Sequence, residues 1–310
     1  MKGHGFSRAV RIAGKWALVR KVRSGLAEAI ALLRSGDAAG VDRAIGLLQS
    51  TVLSFGLKVC GHREDAEDTA QEVLVKALPH LAKLEDPRAL SAWLYTAAKN
   101  RCWQGRRTAT YRKTVALDQL LPDHAELETL LLADPAASPE DAARRGQDHR
   151  LLHQAVLALP PQYRIVLVLH DMEELDTDLV SKILSIQPGT VRVRLHRARL
   201  LVRQEMAKLL ERRAAAPRRK KTPAKPPAQC REIFANLSEY LDGKLEPESC
   251  ERMRRHIEAC PACVAFIQDL KRAIDRCHAL EVCPDRETQP ILRRLLTEEY
   301  LRLKSSSVRL

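Results

Sequence analysis

Apolar residues recur at three- and four-residue steps along most of this chain. That period predicts helices over 44–59, 65–81, 90–106, 151–159, 164–173, 178–184 and 190–210. No run alternates apolar and polar residues over a strand's length. The one Asp-Gly pair, Asp242-Gly243, follows a helical pattern, where glycine serves as a helix stop. The expected fold is all-α.

Two of these helices carry unusual polar faces. In 65–81, Ala66, Thr69, Ala70, Val73, Leu74 and Ala77 form the apolar stripe, which leaves Asp68, Gln71, Glu72 and Lys76 on the other side. In 90–106, Trp93, Tyr95 and Trp103 are interleaved with Lys99, Asn100, Arg101, Arg106 and Arg107. Cations for phosphates and flat rings for unstacked bases are what single-stranded nucleic acid requires, at about 1–3 kcal/mol per stacked base. The plainer alternative is that the rings are core and the cations surround them by chance.

Pro188-Gly189-Thr190 opens the last long helix, with proline at the start and Thr190 as a potential cap. The preceding 178–184 helix and a short turn complete a helix-turn-helix pattern. Val191, Leu195, Ala198, Val202 and Met206 share one face; Arg192, Arg194, His196, Arg197, Arg199 and Arg203 occupy the others. A cationic helix of this kind suits a major groove, where arginine reads guanine edges or holds phosphates.

Charge blocks divide the chain. Its 310 residues carry 52 Lys and Arg against 39 Asp and Glu, a formal +13 that favours a polyanionic partner. Residues 1–24 hold seven cations and no acid, as do residues 88–113; residues 114–141 hold seven acids, three prolines and no cation. The Pro/Ala/Lys stretch after 211 can bury almost nothing and reads as a tether. The resulting segments are a basic arm (1–40), a helical domain (41–113), an acidic linker (114–148), a helix-turn-helix domain (149–211), a tether (212–229), a cysteine module (230–283) and a tail (284–310).

Several function classes fall away. No apolar run is long enough to span a membrane, and Arg11 and Lys15 interrupt the N-terminal apolar stretch before it becomes an export signal. The expectation is therefore a reducing cytoplasm, where the eight cysteines would not form a disulfide framework. Phosphate-cradling glycine loops, GxSxG elbows and HExxH pairs are absent from the sequence, so the chain is not expected to be an enzyme. In the cysteine module, His256, Cys260 and Cys263 form HxxxCxxC. His256 and Cys260 share a helix face, and Cys263 turns toward the same point. Cys230 offers a fourth ligand. Three sulfurs and one nitrogen suit one tetrahedral Zn2+ per chain, at about 2.3 Å and 2.0–2.1 Å. Such a shell has no open position for hydrolytic chemistry. Cys250, Cys277 and Cys283 lie outside the pattern and read as packing residues, with redox partners or additional metal ligands as the alternatives.

The runs EDAEDTAQEVLVKAL and SAWLYTAAKNRCWQGRR resemble region 2 of bacterial sigma factors of the extracytoplasmic-function group. The resemblance implies that Asp68, Gln71 and Glu72 dock on core RNA polymerase. It also implies that the Trp93–Asn100 segment meets melted promoter DNA. The run from Gly189 to Arg199 resembles region 4 of the same group, with Ser185 where that group places a turn glycine. The run from Cys230 through Phe266 resembles a zinc-binding anti-sigma domain, including its turn from Tyr240 to Leu245. These resemblances imply a sigma factor that takes core polymerase to promoter DNA. Its C-terminal module would contact its own sigma domains and regulate them. The competing reading is a helix-turn-helix metalloregulator that acts without polymerase and normally dimerises on paired half-sites; in it, the Asp68/Gln71/Glu72 face has no task.

Overall fold

The computed structural model describes residues 21–81, 86–103, 115–122, 126–127, 141–213, 228–280, 282 and 290–307. All regular structure among them is helical. In chain order the helices are α1 (Lys21–Ser35), α2 (Ala38–Val59), α3 (Arg63–Leu81), α4 (Pro87–Trp103), α5 (Asp141–Ala158) and α6 (Pro161–Leu167). After them come α7 (Thr177–Leu184), α8 (Pro188–Arg213), α9 (Ala228–Ala235), α10 (Leu237–Leu241), α11 (Pro247–Ala259), α12 (Pro261–Ala279) and α13 (Pro290–Ser307). Two compact units result, and each interleaves distant stretches of chain.

The first unit contains α1–α4, the segment 168–188 with α7, and α13. Its core is aliphatic: Ile45, Leu48, Leu74, Leu90 and Leu94 are fully buried, as the stripe pattern requires. Helix α2 begins at Asp37, whose carboxylate accepts from the Gly40 amide at 2.7 Å, so an otherwise orphaned donor is satisfied. Gly56 lets α2 approach α3 closely, since a Cβ there would stand 3.0 Å from the Ala66 Cβ. Phe55 and Tyr95 meet edge to face, with ring centroids 4.9 Å apart.

Two features of this unit add tertiary contacts to the sequence picture, and a third departs from it. Within the span expected to be an arm, α1 packs on α2 by burying Leu26, Ala29, Ile30 and Leu33. Within the tail, α13 packs on α2 and α3. There the Arg293 guanidinium pairs with Asp42, and the Lys304 ammonium donates to the Leu33 carbonyl at 3.1 Å. Cys60 and Cys102 are joined in a disulfide that ties the end of α2 to the last turn of α4, against the expectation of reduced thiols. A single bridge between residues 42 apart leaves no local mark in a sequence.

The second unit holds α5, α6 and α8–α12. Helix α8 is its long axis, with Val191, Leu195, Ala198, Val202 and Met206 all buried, as the face analysis anticipates. Part of the acidic segment contributes to this unit: Leu120, Leu121 and Leu127 are buried, and Glu126 pairs with Arg203. Phe234 of α9 and Phe266 of α12 meet at the heart of the cysteine module, their rings tilted by 60° with centroids 4.7 Å apart. The expected arm over 1–20, most of the tether, Arg106, Arg107 and Cys283 lie outside the described residues.

Candidate metal centre and nucleic-acid faces

The four metal-ligand candidates converge. Cys230 comes from α9 and His256 from the last turn of α11. Cys260 forms the junction before Pro261, which starts α12, and Cys263 lies one turn inside that helix. Pro261 is well placed at a helix start, because it lacks the N–H that the first turn would leave unused. The ligand atoms of all four residues lie within 4.8 Å of one another. His256 Nε2 stands 3.2 Å from Cys263 Sγ and 3.6 Å from Cys230 Sγ. Separations of this size are what a tetrahedral shell of thiolates and one imidazole requires, so the residues fit a metal ion. Burial pushes the Cys263 thiol up, and its neighbours Cys230 and Cys260 add to the effect. Burial likewise raises Cys230. Buried thiols packed this closely resist ionisation by themselves, and a bound cation reverses that preference. Cys277 is fully buried in α12, as expected of a packing residue, and Cys250 is half-buried.

The polar face of α3 is open. Asp68 and Gln71 are exposed. Glu72 is half-buried; its carboxylate accepts from Lys76 at 2.6 Å and pairs with Arg101 of α4. The Lys76 hydrogen bond, seconded by Arg101, holds the Glu72 carboxyl below its usual range.

The α4 residues expected at melted DNA divide into two groups. Asn100 is exposed, Trp93 is half-buried near His80, and Arg101 is half-buried on Glu72. Tyr95 and Lys99 are buried. The Tyr95 hydroxyl donates to Glu173 Oε2 at 2.7 Å, while Lys58 Nζ holds Glu173 Oε1 at 2.7 Å. Burial, with the Glu173 charge beside it, pushes the Tyr95 phenol well above its ordinary range, which keeps it a donor. Lys99 Nζ donates to the Ile183 carbonyl at 2.8 Å. On the rim of this contact, Arg88 pairs with Asp176, the cap of α7. Carboxylates and a helix-end carbonyl from 168–188 thus take up the polar ends of Tyr95, Lys99 and Arg88.

The α8 residues divide in the same way. Thr190 and Arg192 are exposed, and Arg194 and Arg197 are half-buried. His196 and Arg199 are buried under the cysteine module. The Arg199 guanidinium forks onto the Asp242 carboxylate at 2.8 and 2.9 Å, and His196 Nδ1 bonds the Ser238 hydroxyl at 2.9 Å. Asp242 stands at the end of α10, where Gly243 takes a positive φ of 66° and turns the chain away. One turn along α8, Arg203 lies over the Phe266 ring at 4.5 Å and pairs with Asp269 at 2.7 Å. The composition of these faces was legible beforehand; their intramolecular partners were not, because each lies about 40 or more residues away.

Comparison with known proteins agrees with these three parts. Residues 45–111 match the Sigma-70 region 2 family, residues 149–202 the Sigma-70 region 4 family, and residues 230–263 a zinc-finger family. The sigma factor YlaC of Bacillus subtilis is 30% identical over 162 residues, covering 52% of this chain and 88% of that protein. SigW of the same organism is 27% identical over 177 residues, covering 57% of this chain and 94% of that protein. A sigma factor of Xanthomonas campestris, RfaY, is 31% identical over 173 residues, or 54% of this chain; the match spans only 42% of its length. No helix among the described residues is long and apolar enough to cross a membrane. The chain belongs to the extracytoplasmic-function family of RNA polymerase sigma factors, and it carries a zinc-finger-like module behind region 4.

Proposed function

We propose that the chain directs core RNA polymerase to promoter DNA in the cytoplasm, and that the conformation described is its closed form. The observation that carries this reading is the Arg199–Asp242 pair. An arginine of the helix suited to a major groove is buried and neutralised by the cysteine module. Arg199 cannot serve both partners at once. The buried Tyr95 and Lys99 support the same reading for region 2.

In the open form, Asp68, Gln71 and Glu72 dock on the polymerase. Trp93, Tyr95, Lys99, Asn100, Arg101, Arg106 and Arg107 take the melted strand, and Thr190, Arg192, Arg194, His196, Arg197 and Arg199 take duplex DNA. Cys230, His256, Cys260 and Cys263 would hold one Zn2+, whose closed shell supplies structure and no catalysis. The metal would tie α9 to the α11–α12 junction, and thereby hold the α10 turn that presents Asp242. A module of about 50 residues has too small a core to be secure without such a tie. Its role is then that of an intramolecular inhibitor, kept close to α8 by its tether.

Run-off transcription with added core enzyme tests this. The full chain carrying Cys260→Ser and Cys263→Ser, which keeps α13 on the first unit, should yield several-fold more promoter-dependent transcript than the unaltered chain. No transcript from either, on any template, would defeat the reading.

A further inference from the structure

The cysteine pair of the first unit is separate from the metal thiols, and nothing in the reading so far uses it. Cys60 caps α2, and Cys102 lies one residue before the end of α4. Their Cα atoms are 5.6 Å apart and both side chains are buried. Thr69 of α3 places its hydroxyl 3.7 Å from Cys102 Sγ and 4.0 Å from Cys60 Sγ, so three helices meet at this bridge. The residues flanking Cys102 are themselves engaged: Arg101 pairs with Glu72, and Lys99 lies over the Trp103 ring at 5.9 Å.

We propose that Cys60 and Cys102 form a reversible thiol–disulfide site that sets how firmly the last turn of α4 is held. A peroxide-class oxidant closes it. The S–S bond forms, two S–H bonds and the O–O bond break, and both thiol hydrogens leave in two waters. A dithiol reopens it by exchange and is itself oxidised to a disulfide. The position favours reversibility, because a helix's last turn opens locally at far lower cost than its middle and admits the reagent.

The functional consequence rests on the sigma-factor reading. With the bridge closed, Arg101 is kept against Glu72, a residue of the polymerase-docking face. With it open, the turn can move and release that carboxylate. Oxidation therefore weakens docking, by a route that leaves the metal module untouched.

Peptide mapping of the full-length, zinc-loaded protein tests the site. Reduced protein is titrated with hydrogen peroxide, alkylated and digested with trypsin. The expected product joins residues 59–63 to residues 102–106, two hydrogens lighter than the sum of the peptides, and dithiothreitol reverses it. It should be absent in Cys102→Ser. Closing the bridge should raise the melting temperature by roughly 10 °C and weaken binding of core polymerase by about 5-fold, with neither change in Cys102→Ser. Separate alkylation of both cysteines at every peroxide dose, or linkage of either to a metal-module cysteine, would overturn the site. Equal core binding by oxidised and reduced protein would overturn the functional consequence. Failure of every form to bind core polymerase would contradict the sigma-factor reading, with the peptide result still deciding the chemistry.

Discussion

Tyr95 and Glu173 lie 78 residues apart in sequence and 2.7 Å apart in space, hydroxyl to carboxylate, with Lys58 closing the other side of the same carboxylate. All three are buried. The arrangement is stable only as a set, because each member satisfies the charge or hydrogen bond of the next. Removing Glu173 leaves a buried ammonium alone. Glu173→Ala should destabilise the protein by about 3–5 kcal/mol in urea unfolding. Tyr95→Phe, which leaves the ion pair intact, should cost less, about 1.5–3 kcal/mol. Glu173→Gln, by loosening the contact, should also increase binding of single-stranded promoter oligonucleotides.

Metal removal should unfold the cysteine module selectively. Chelation is expected to reduce helical circular dichroism by an amount matching α9–α12, while α1–α4 keep their melting transition. Metal analysis should give one zinc per chain, falling to near zero in Cys260→Ser/Cys263→Ser. Retention of full helicity without metal would show that the aliphatic and Phe234–Phe266 core suffices.

Ser185 closes α7 in a left-handed conformation, with φ 54° and ψ 46°, at the position where the related group places glycine. The turn keeps its closing bonds: the Ile186 amide donates to the Ser181 carbonyl at 3.1 Å, and the Ser185 amide donates to Lys182 at 3.3 Å. Serine therefore bears only the steric cost of that conformation. Ser185→Gly should stabilise the protein by up to about 1 kcal/mol in the same urea assay.

Acidification should loosen the module from α8. Burial, with the Arg199 and Arg197 charges beside it, lowers the His196 pKa to about 4. The unfolded imidazole titrates near 6.5, so between those values the unfolded state binds more protons and stability falls as pH falls. That loss reaches about 3 kcal/mol by pH 4. Metal affinity itself depends on pH, so the informative quantity is the difference from His196→Asn. Stability of the variant should depend less on pH between 6.5 and 4, while its values near neutrality lie lower.

Local patterns carried the helices, the stripe on α3, the cationic faces and the HxxxCxxC group, because those depend on residues within a turn or two of one another. What they could not carry is occupancy. That Tyr95 faces Glu173 and Arg199 faces Asp242 follows from tertiary packing of segments distant in sequence. The tail shows the same limit. Its helix has no motif, yet Arg293 finds Asp42 251 residues away and lies over Gly46, where a Cβ would meet the guanidinium at 3.0 Å.

In the proposed closed form, Asp242 withholds Arg199 from DNA. A buried guanidinium without its partner costs about 3–5 kcal/mol, more than a contact of this kind can absorb, so Asp242→Ala should return Arg199 to solvent. The direct measurement is the affinity of the full chain with core polymerase for duplex promoter DNA at about 0.15 M salt, wild type against Asp242→Ala. If Asp242 does withhold Arg199, binding is at least about 10-fold tighter in the variant. Unchanged or weaker binding by a folded, zinc-loaded variant would contradict it.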